Sequence, residues 1–155
     1  MKVAIIDDER DMRLSISQWL SLSGYEPESF ASAEDALTSI NYHYPGLVVT
    51  DIKMPGMDGM QLLKKLMGQD SGLPVILITG HGDVPMAVEA MRLGAFNFLE
   101  KPFEPEDLTQ LIKLAARKRR SILESRELRQ ELSDSSKIIK KLAGSSKVLL
   151  KLKED

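Results

Sequence analysis

The sequence predicts an α/β fold in which helices cover both faces of a parallel sheet. Short apolar runs of strand length recur along the first 100 residues, and stretches with helical apolar spacing lie between them. Glycine, proline and aspartate residues separate the two kinds of segment. Strands that alternate with helices at this spacing form successive βα units, and such units build parallel sheets. We count five strands and five helices.

The ten elements can be placed in chain order. The five strands are expected at residues 2–6, 26–30, 47–50, 73–79 and 96–100. The five helices are expected at about residues 11–23, 33–42, 59–67 and 84–93, and from residue 105 onward. Pro27 cannot donate a backbone hydrogen bond, so the second strand is expected at an edge of the sheet. The third and fourth strands are apolar almost throughout, which is typical of strands buried on both faces.

The helix boundaries rest on capping and turn residues. Gly24 lies where a glycine commonly ends a helix, and Ser32 can cap the second helix. The third helix opens at Asp58-Gly59, and the fourth begins after Asp83 and stops before Gly94. The positions expected to face the core are Met12, Ile16, Trp19, Leu20, Leu22, Ala36, Leu37, Ile40, Met60, Leu63, Leu66, Met86, Ala90, Met91, Leu93, Leu108, Leu111, Ile112 and Ala115.

The composition excludes several classes of protein. Hydrophobic residues at 43% and charged residues at 28% are ordinary for a globular chain. No apolar run approaches the roughly 18 residues of a membrane helix. The apolar residues at the N-terminus resemble the start of a signal peptide, but the apolar stretch ends at Asp7, which is too early for one. The lack of cysteine excludes disulfides, thiolate zinc sites and a cysteine nucleophile. We therefore expect a cytoplasmic protein that makes no membrane contact.

The charge distribution divides the chain. Residues 1–116 carry nine basic against seventeen acidic residues, a net charge of −8, whereas residues 117–155 carry twelve against six, a net charge of +6. The break at Arg117 predicts an acidic domain over 1–116 followed by a basic extension.

Polar side chains end or follow four of the predicted strands: Asp7 and Asp8, Asp51, Thr79, and Lys101. The carboxyl ends of parallel strands meet at one edge of a sheet. Two carboxylates repel by roughly 4 kcal/mol at 4 Å and an effective dielectric near 20, so the cluster needs a cation. Oxygen ligands without histidine or cysteine favour Mg²⁺. A carboxylate beside Mg²⁺, with an ammonium and a hydroxyl opposite, is equipped to accept a phosphoryl group.

Four sequence motifs at these strand ends resemble the receiver domains of two-component response regulators. They are IIDDE at 5–9, DIKMPGMDG at 51–59, ILITGHGD at 76–83 and FLEKPF at 98–103. The resemblance covers about residues 1–120. It implies a flavodoxin-like (βα)5 doubly wound parallel sheet with strand order 2-1-3-4-5. It also implies a signalling switch, with no enzymatic activity beyond Mg²⁺-dependent phosphorylation and dephosphorylation of itself.

The resemblance implies a metal site and an acceptor. Asp51 resembles the phosphoacceptor, and Asp8 resembles the principal Mg²⁺ carboxylate. Asp7 resembles a helper that reaches the ion through water. The main-chain carbonyl of Lys53 resembles a third protein ligand.

The resemblance also implies residues that respond to the phosphoryl group. Lys101 resembles the family's lysine, which precedes a cis X-Pro bond. Thr79 resembles the switch hydroxyl, and Phe98 the switch aromatic that turns inward behind it. Lys53 and His81 each lie two residues beyond a site residue, and we expect them to tune how fast water removes the phosphoryl group.

More narrowly, the sequence resembles receivers of nitrogen-regulator-type, sigma-factor-dependent activators, including the dicarboxylate-transport regulators. In that group a receiver and a linker precede an ATPase and a DNA-binding domain. No GxxxxGK[ST] loop occurs in this sequence. We expect a receiver at 1–116, a helical dimerisation linker at 117–142, and the start of the missing ATPase domain, or a tail, at 143–155. The implied partner is a sensor histidine kinase.

The last helix predicts a homodimer. Apolar residues with heptad spacing continue beyond the domain, so we expect a parallel coiled-coil linker. The dimer seam is expected to include Leu111, Leu114, Leu128 and Leu132. The face of helix four, strand five and helix five is the expected output face and a second candidate for dimerisation. The basic run at 117–120 lacks interleaved aromatics, so we expect a solvated helix face and no nucleic-acid binding by this fragment.

Other functions remain open at the level of sequence. The chain could be a pseudo-receiver, which dimerises or binds without phosphorylation, although Asp8, Asp51, Thr79 and Lys101 are all present. A flavin-binding protein of similar fold would need a hydroxyl- and glycine-rich phosphate loop after strand one, where Asp7-Asp8-Glu9 would repel a phosphate unless a metal intervened. An aspartyl phosphatase would need its nucleophile at the end of strand one and a second acid two residues on, whereas in this chain the two acids are adjacent.

Overall fold

The computed structural model describes residues 1–141, with side chains through residue 132. The strands are β1 (Lys2–Ile6), β2 (Glu26–Phe30), β3 (Gly46–Asp51), β4 (Val75–Thr79) and β5 (Asn97–Glu100). The helices are α1 (Arg10–Leu22), α2 (Ala33–Ser39), α3 (Gly59–Gln69), α4 (Val84–Arg92) and α5 (Pro105–Lys141). The end of the predicted linker and the segment expected to start an ATPase domain lie outside the described residues.

The five strands form one parallel sheet with the order β2-β1-β3-β4-β5. This order confirms the flavodoxin-like fold. Pro27 lies in β2 at an edge of the sheet, where a missing backbone N–H costs no interior hydrogen bond. Because all strands point the same way, the carboxyl ends of β1, β3, β4 and β5 share one edge.

Each face of the sheet carries its own apolar core. Successive side chains of a strand point to opposite faces, so β3 contributes Val48 to one core and Val49 to the other. Helices α2, α3 and α4 supply residues to the first core, among them Ala36, Leu63 and Ala90. Helices α1 and α5 supply the second core with Ile16, Leu20, Leu108, Ile112 and Ala115.

Three residues expected to face the core are more exposed than the sequence suggested. Leu22, the last residue of α1, is 88% exposed. Met86 and Met91 are each 39% exposed, whereas the alanines Ala87 and Ala90 are fully buried. Helix α4 therefore packs closely through small side chains, and its methionines lie at the margin of the contact.

Residues Met1–Arg120 form one compact unit, and a second unit begins at Ser121. Within the first unit, Arg119 is fully buried. The expectation of a solvated helix face at 117–120 is therefore wrong for Arg119. Its guanidinium binds the Asp70 carboxylate, and this contact makes the burial of its charge possible.

Helix α5 carries both core residues and exposed leucines. Leu111 packs partly against the second core, whereas Leu114 is 52% exposed. In the second unit, Leu128 and Leu132 are 51% and 43% exposed. The exposed leucines are available for a seam, and Leu111 offers the least free surface of the four. None of the helices in the described part of the chain is long and apolar enough to cross a membrane.

Candidate functional site

Three carboxylates meet at the carboxyl edge of the sheet. Asp7 and Asp8 directly follow β1, and Asp51 is the last residue of β3. One ligand oxygen from each lies within 4.8 Å of the others. Asp7 and Asp51 are buried, and Asp8 is exposed at the mouth. The arrangement follows from parallel pairing, because β1 and β3 are neighbours in register.

One carboxylate oxygen of Asp7 is hydrogen-bonded, whereas the other has no partner among the described residues. Its Oδ1 accepts a hydrogen bond from the Glu9 N–H at 2.9 Å, while the buried Oδ2 accepts none from the described residues. Burial raises the pKa of Asp7 to about 6, and the nearby Asp51 carboxylate raises it further against the lowering effect of the Glu9 N–H. Arg13 donates to the Asp7 carbonyl at 2.7 Å, an anchor that the sequence analysis did not identify.

Asp51 is paired with Lys101. The Lys101 Nζ lies 3.4 Å from the Asp51 Oδ2, and Lys101 follows β5 directly. Burial raises the pKa of Asp51, whereas the Lys101 ammonium lowers it. The Lys101 N–H also donates to the Thr79 carbonyl at 2.8 Å, and the peptide between Lys101 and Pro102 is cis. The backbone thus positions Lys101 so that its side chain reaches the Asp51 carboxylate.

Thr79 and Phe98 lie on neighbouring strands. Thr79 is fully buried, and its hydroxyl has no hydrogen-bond partner within the described residues. Phe98 pairs with Leu77 across β4 and β5 and packs, partly buried, against the core formed with α2, α3 and α4. A buried hydroxyl without a partner is unfavourable, so the Thr79 oxygen is suited to receive a ligand group.

Lys53 and His81 each contact a carboxylate beside the site. The Lys53 Nζ lies 3.2 Å from the Asp83 Oδ1, which links the loop after β3 to the start of α4. The His81 Nδ1 lies 3.1 Å from the Glu100 Oε1. Both predicted modulators are largely exposed.

The loop between β3 and α3 is closed by close backbone contacts. The Gly59 N–H donates to the Ile52 carbonyl at 2.7 Å, and a Cβ at Gly59 would lie only 2.3 Å from the Asp51 carbonyl oxygen. Only glycine fits there, a requirement that the sequence analysis did not identify. Asp58 and Gln61 form a reciprocal capping box at the start of α3.

The donor set fits a hard divalent cation. Its side-chain ligands are all carboxylates, and the Lys101 ammonium, which pairs with Asp51, cannot by itself balance the charge of three acids. The buried Asp7 oxygen without a partner lies in this same cluster. The residues present therefore fit Mg²⁺.

The chain matches the family model for the response regulator receiver domain over residues 3–113. The C4-dicarboxylate transport transcriptional regulatory protein DctD of Rhizobium meliloti (strain 1021) is 48% identical over 128 residues, which are 83% of this chain and 28% of that protein. The transcriptional regulatory protein FixJ of Bradyrhizobium diazoefficiens is 42% identical over 134 residues, or 84% of this chain and 64% of that protein. The chain thus spans less than a third of the length of DctD.

A solved structure of a receiver domain is also similar to this chain. The crystal structure of the receiver domain of NtrX from Brucella abortus matches with a TM-score of 0.71 at 38% identity. The match covers 74% of this chain and 98% of that one.

Proposed function

The chain belongs to the response regulator receiver family, and on that premise we propose that it is a phosphorylation switch in which Asp51 accepts a phosphoryl group from a sensor histidine kinase. The similarity to DctD and to the NtrX receiver confirms the nitrogen-regulator type. One observation carries the proposal. The Asp51 carboxylate lies 3.4 Å from the Lys101 ammonium and within 4.8 Å of two further carboxylates.

The chemical step uses Asp51 as the nucleophile. A carboxylate oxygen attacks the phosphorus in line with the P–N bond of a phosphohistidine. That bond breaks, its electron pair returns to the imidazole nitrogen, which takes up a proton, and Asp51 becomes an acyl phosphate. Lys101 pairs with the negative charge added at this position, and the Thr79 hydroxyl donates to a phosphoryl oxygen.

The acidic cluster supports a role for Mg²⁺ in this reaction. Asp8 and Asp51 would hold the ion with the Lys53 main-chain carbonyl, and Asp7 would act through a water molecule. When bound, Mg²⁺ neutralises the charge of the cluster and of the phosphoryl oxygens. The raised pKa of Asp7 supports this arrangement, because it reflects a carboxylate that is buried without enough positive charge around it.

The response to phosphorylation begins at Thr79. Movement of its hydroxyl onto the phosphoryl group vacates space on the face of the sheet where Phe98 packs. Phe98 has no hydroxyl, so its inward state rests on packing alone. Helix α4, strand β5 and helix α5 form the output face, because Phe98 lies in β5 and Thr79 ends the neighbouring strand β4.

We infer that the switch controls dimerisation and the activity of an attached transcription-activating ATPase in a longer protein. The exposed leucines of α5 support a homodimer through this helix. The relatives support the inference that further domains belong to the longer protein, because this chain covers only 28% of the length of the DctD of Rhizobium meliloti. A cytoplasmic location stays a prediction.

Beryllium fluoride, which mimics a bound phosphoryl group, tests the proposal. A structure with this anion and Mg²⁺ is expected to show it on Asp51, in contact with Lys101 and Thr79, with Phe98 more buried than here. Absence of the anion from Asp51 at saturating concentration would contradict the proposal and favour the pseudo-receiver.

A further inference from the structure

Glu34, outside the predicted site, holds the loop that follows the acceptor. Its Oε1 accepts a hydrogen bond from the Met57 N–H at 2.7 Å. Glu34 lies in the first turn of α2, and the loop belongs to the connection between β3 and α3. This contact joins two elements that are separated by 23 residues in sequence.

The loop is shaped for this contact. Gly56 has a φ of +73°, and a Cβ there would lie 3.1 Å from the Glu34 Oε1. A Cβ at Gly56 would therefore push the Glu34 carboxylate back by a few tenths of an ångström. A glycine at this position allows both the positive φ and the close approach of the glutamate.

The Glu34 carboxylate is stabilised in its charged form. The pKa of Glu34 lies below its usual value, chiefly because the Met57 N–H bonds to it, with smaller effects from its own N–H and from Ser32. Its position near the N-terminus of α2 favours negative charge as well. The loop is thus held by a charged acceptor, which makes a stronger hydrogen bond than a neutral one.

The loop that Glu34 holds includes the backbone carbonyl that is expected to bind the metal ion. On one side the Gly59 N–H fixes the Ile52 carbonyl, and on the other side Glu34 fixes the Met57 N–H. The Lys53 carbonyl lies in sequence between these two points. We propose that Glu34 is a positioning residue for cation binding: its carboxylate holds the loop backbone in the arrangement in which the Lys53 carbonyl can act as a ligand.

The inference rests on the proposed function, since it assumes that the acidic cluster binds Mg²⁺. Its test compares the full chain with Glu34→Ala and Glu34→Gln. The matched control is Asp35→Ala, which removes the same charge from the same turn of α2. Mg²⁺ dissociation constants are measured by calorimetry, and exchange of the Met57 amide proton is followed by NMR in metal-free protein.

We expect Glu34→Ala to weaken Mg²⁺ binding about three- to tenfold, which is at or below the low end of the roughly 10- to 100-fold that groups orienting a metal ligand contribute. Exchange of the Met57 amide should accelerate in the same variant. Glu34→Gln should give an intermediate affinity because its amide oxygen still accepts a hydrogen bond. Asp35→Ala should stay within about twofold of the unchanged protein, since general loss of one exposed charge is screened.

Two results would overturn the inference. In the first, Glu34→Ala binds Mg²⁺ as tightly as the unchanged chain. In the second, Asp35→Ala weakens Mg²⁺ binding as much as Glu34→Ala does, so that the loss of one negative charge from this turn accounts for the effect. If the unchanged chain fails to bind Mg²⁺ at all, the proposed metal site itself is wrong, and this outcome is distinct from a failure of Glu34 alone.

Discussion

The guanidinium of Arg119 lies 2.9 Å from the carboxylate of Asp70, and both side chains are almost completely buried. Arg119 also donates to the Tyr44 carbonyl, at 2.9 Å from Nη2, and Asp70 accepts from the Gly72 N–H at 3.0 Å. Tyr44 and Asp70 precede β3 and β4, so this cluster lies at the edge of the sheet opposite the acidic site. The ion pair ties α5 to the amino-terminal edge of the sheet.

The first prediction concerns this ion pair. Arg119→Met should lower the free energy of unfolding by about 3 kcal/mol, because it leaves the buried Asp70 carboxylate without its countercharge. Urea denaturation measures the change, and Arg120→Met, one residue on and exposed, is the control. A loss no larger than that of Arg120→Met would show that Arg119 is not needed to compensate Asp70.

The second prediction concerns pH and metal removal. The pKa of Asp7 rises from about 3.8 in the unfolded chain to about 6 in the folded one. Between these values the folded chain holds a proton that the unfolded chain has lost, so stability falls as pH rises from about 4 to 6 and then levels off. The Asp7 contribution is about 2 to 3 kcal/mol. Urea denaturation with a chelator should show this fall.

Added Mg²⁺ should restore stability at neutral pH more than at pH 5, where Asp7 is protonated. Asp7→Asn should flatten the pH dependence and reduce the effect of Mg²⁺. An equally steep fall in Asp7→Asn would assign the pH dependence to other groups.

The third prediction concerns the lifetime of the phosphoryl group. Lys53→Ala and His81→Ala should each shorten it by about threefold, because a smaller side chain beside the site admits water more readily; threefold is under 1 kcal/mol of activation free energy. Decay of phosphorylated protein after removal of the donor gives the lifetime. Lys64→Ala, an exposed lysine of α3, serves as the control. Unchanged lifetimes in both variants would show that neither Lys53 nor His81 controls the lifetime of the phosphoryl group.

The fourth prediction concerns the dimer. Sedimentation of the full chain at tens of micromolar should show a dimer, and Leu128→Glu combined with Leu132→Glu should give a monomer, because charges in a seam oppose pairing. Leu14→Glu is the matched control, since Leu14 and Leu128 are both 51% exposed. A monomeric unchanged chain, or a dimer that survives the double substitution, would contradict the coiled-coil seam.

The sequence was sufficient to locate the acidic cluster, because each site residue terminates a recognisable strand. Asp7, Asp51 and Lys101 come together once the strands pair in parallel. Strand β2 likewise matches its predicted bounds, and its edge position follows from Pro27. Local pattern and the rules of parallel sheets are enough for this level of detail.

Contacts between distant segments were not predictable from the same patterns. Arg119 stands in a basic run, and only the three-dimensional position of Asp70 shows that it is buried. Glu34 is one acid among several at the start of a helix, and its bond to Met57 depends on the conformation of the loop at Gly56. The second helix also ends at Ser39 rather than near residue 42, because Ile40 takes an extended conformation.

The acceptor role of Asp51 is tested most directly by intact-protein mass spectrometry after incubation with acetyl phosphate and Mg²⁺. The unchanged chain should gain the mass of one phosphoryl group, and a chelator should prevent the gain. Asp58→Asn, which alters an acid of the same loop but keeps a capping side chain, should still gain it. Asp51→Asn should not. No gain in the unchanged chain, or an undiminished gain in Asp51→Asn, would contradict the central claim.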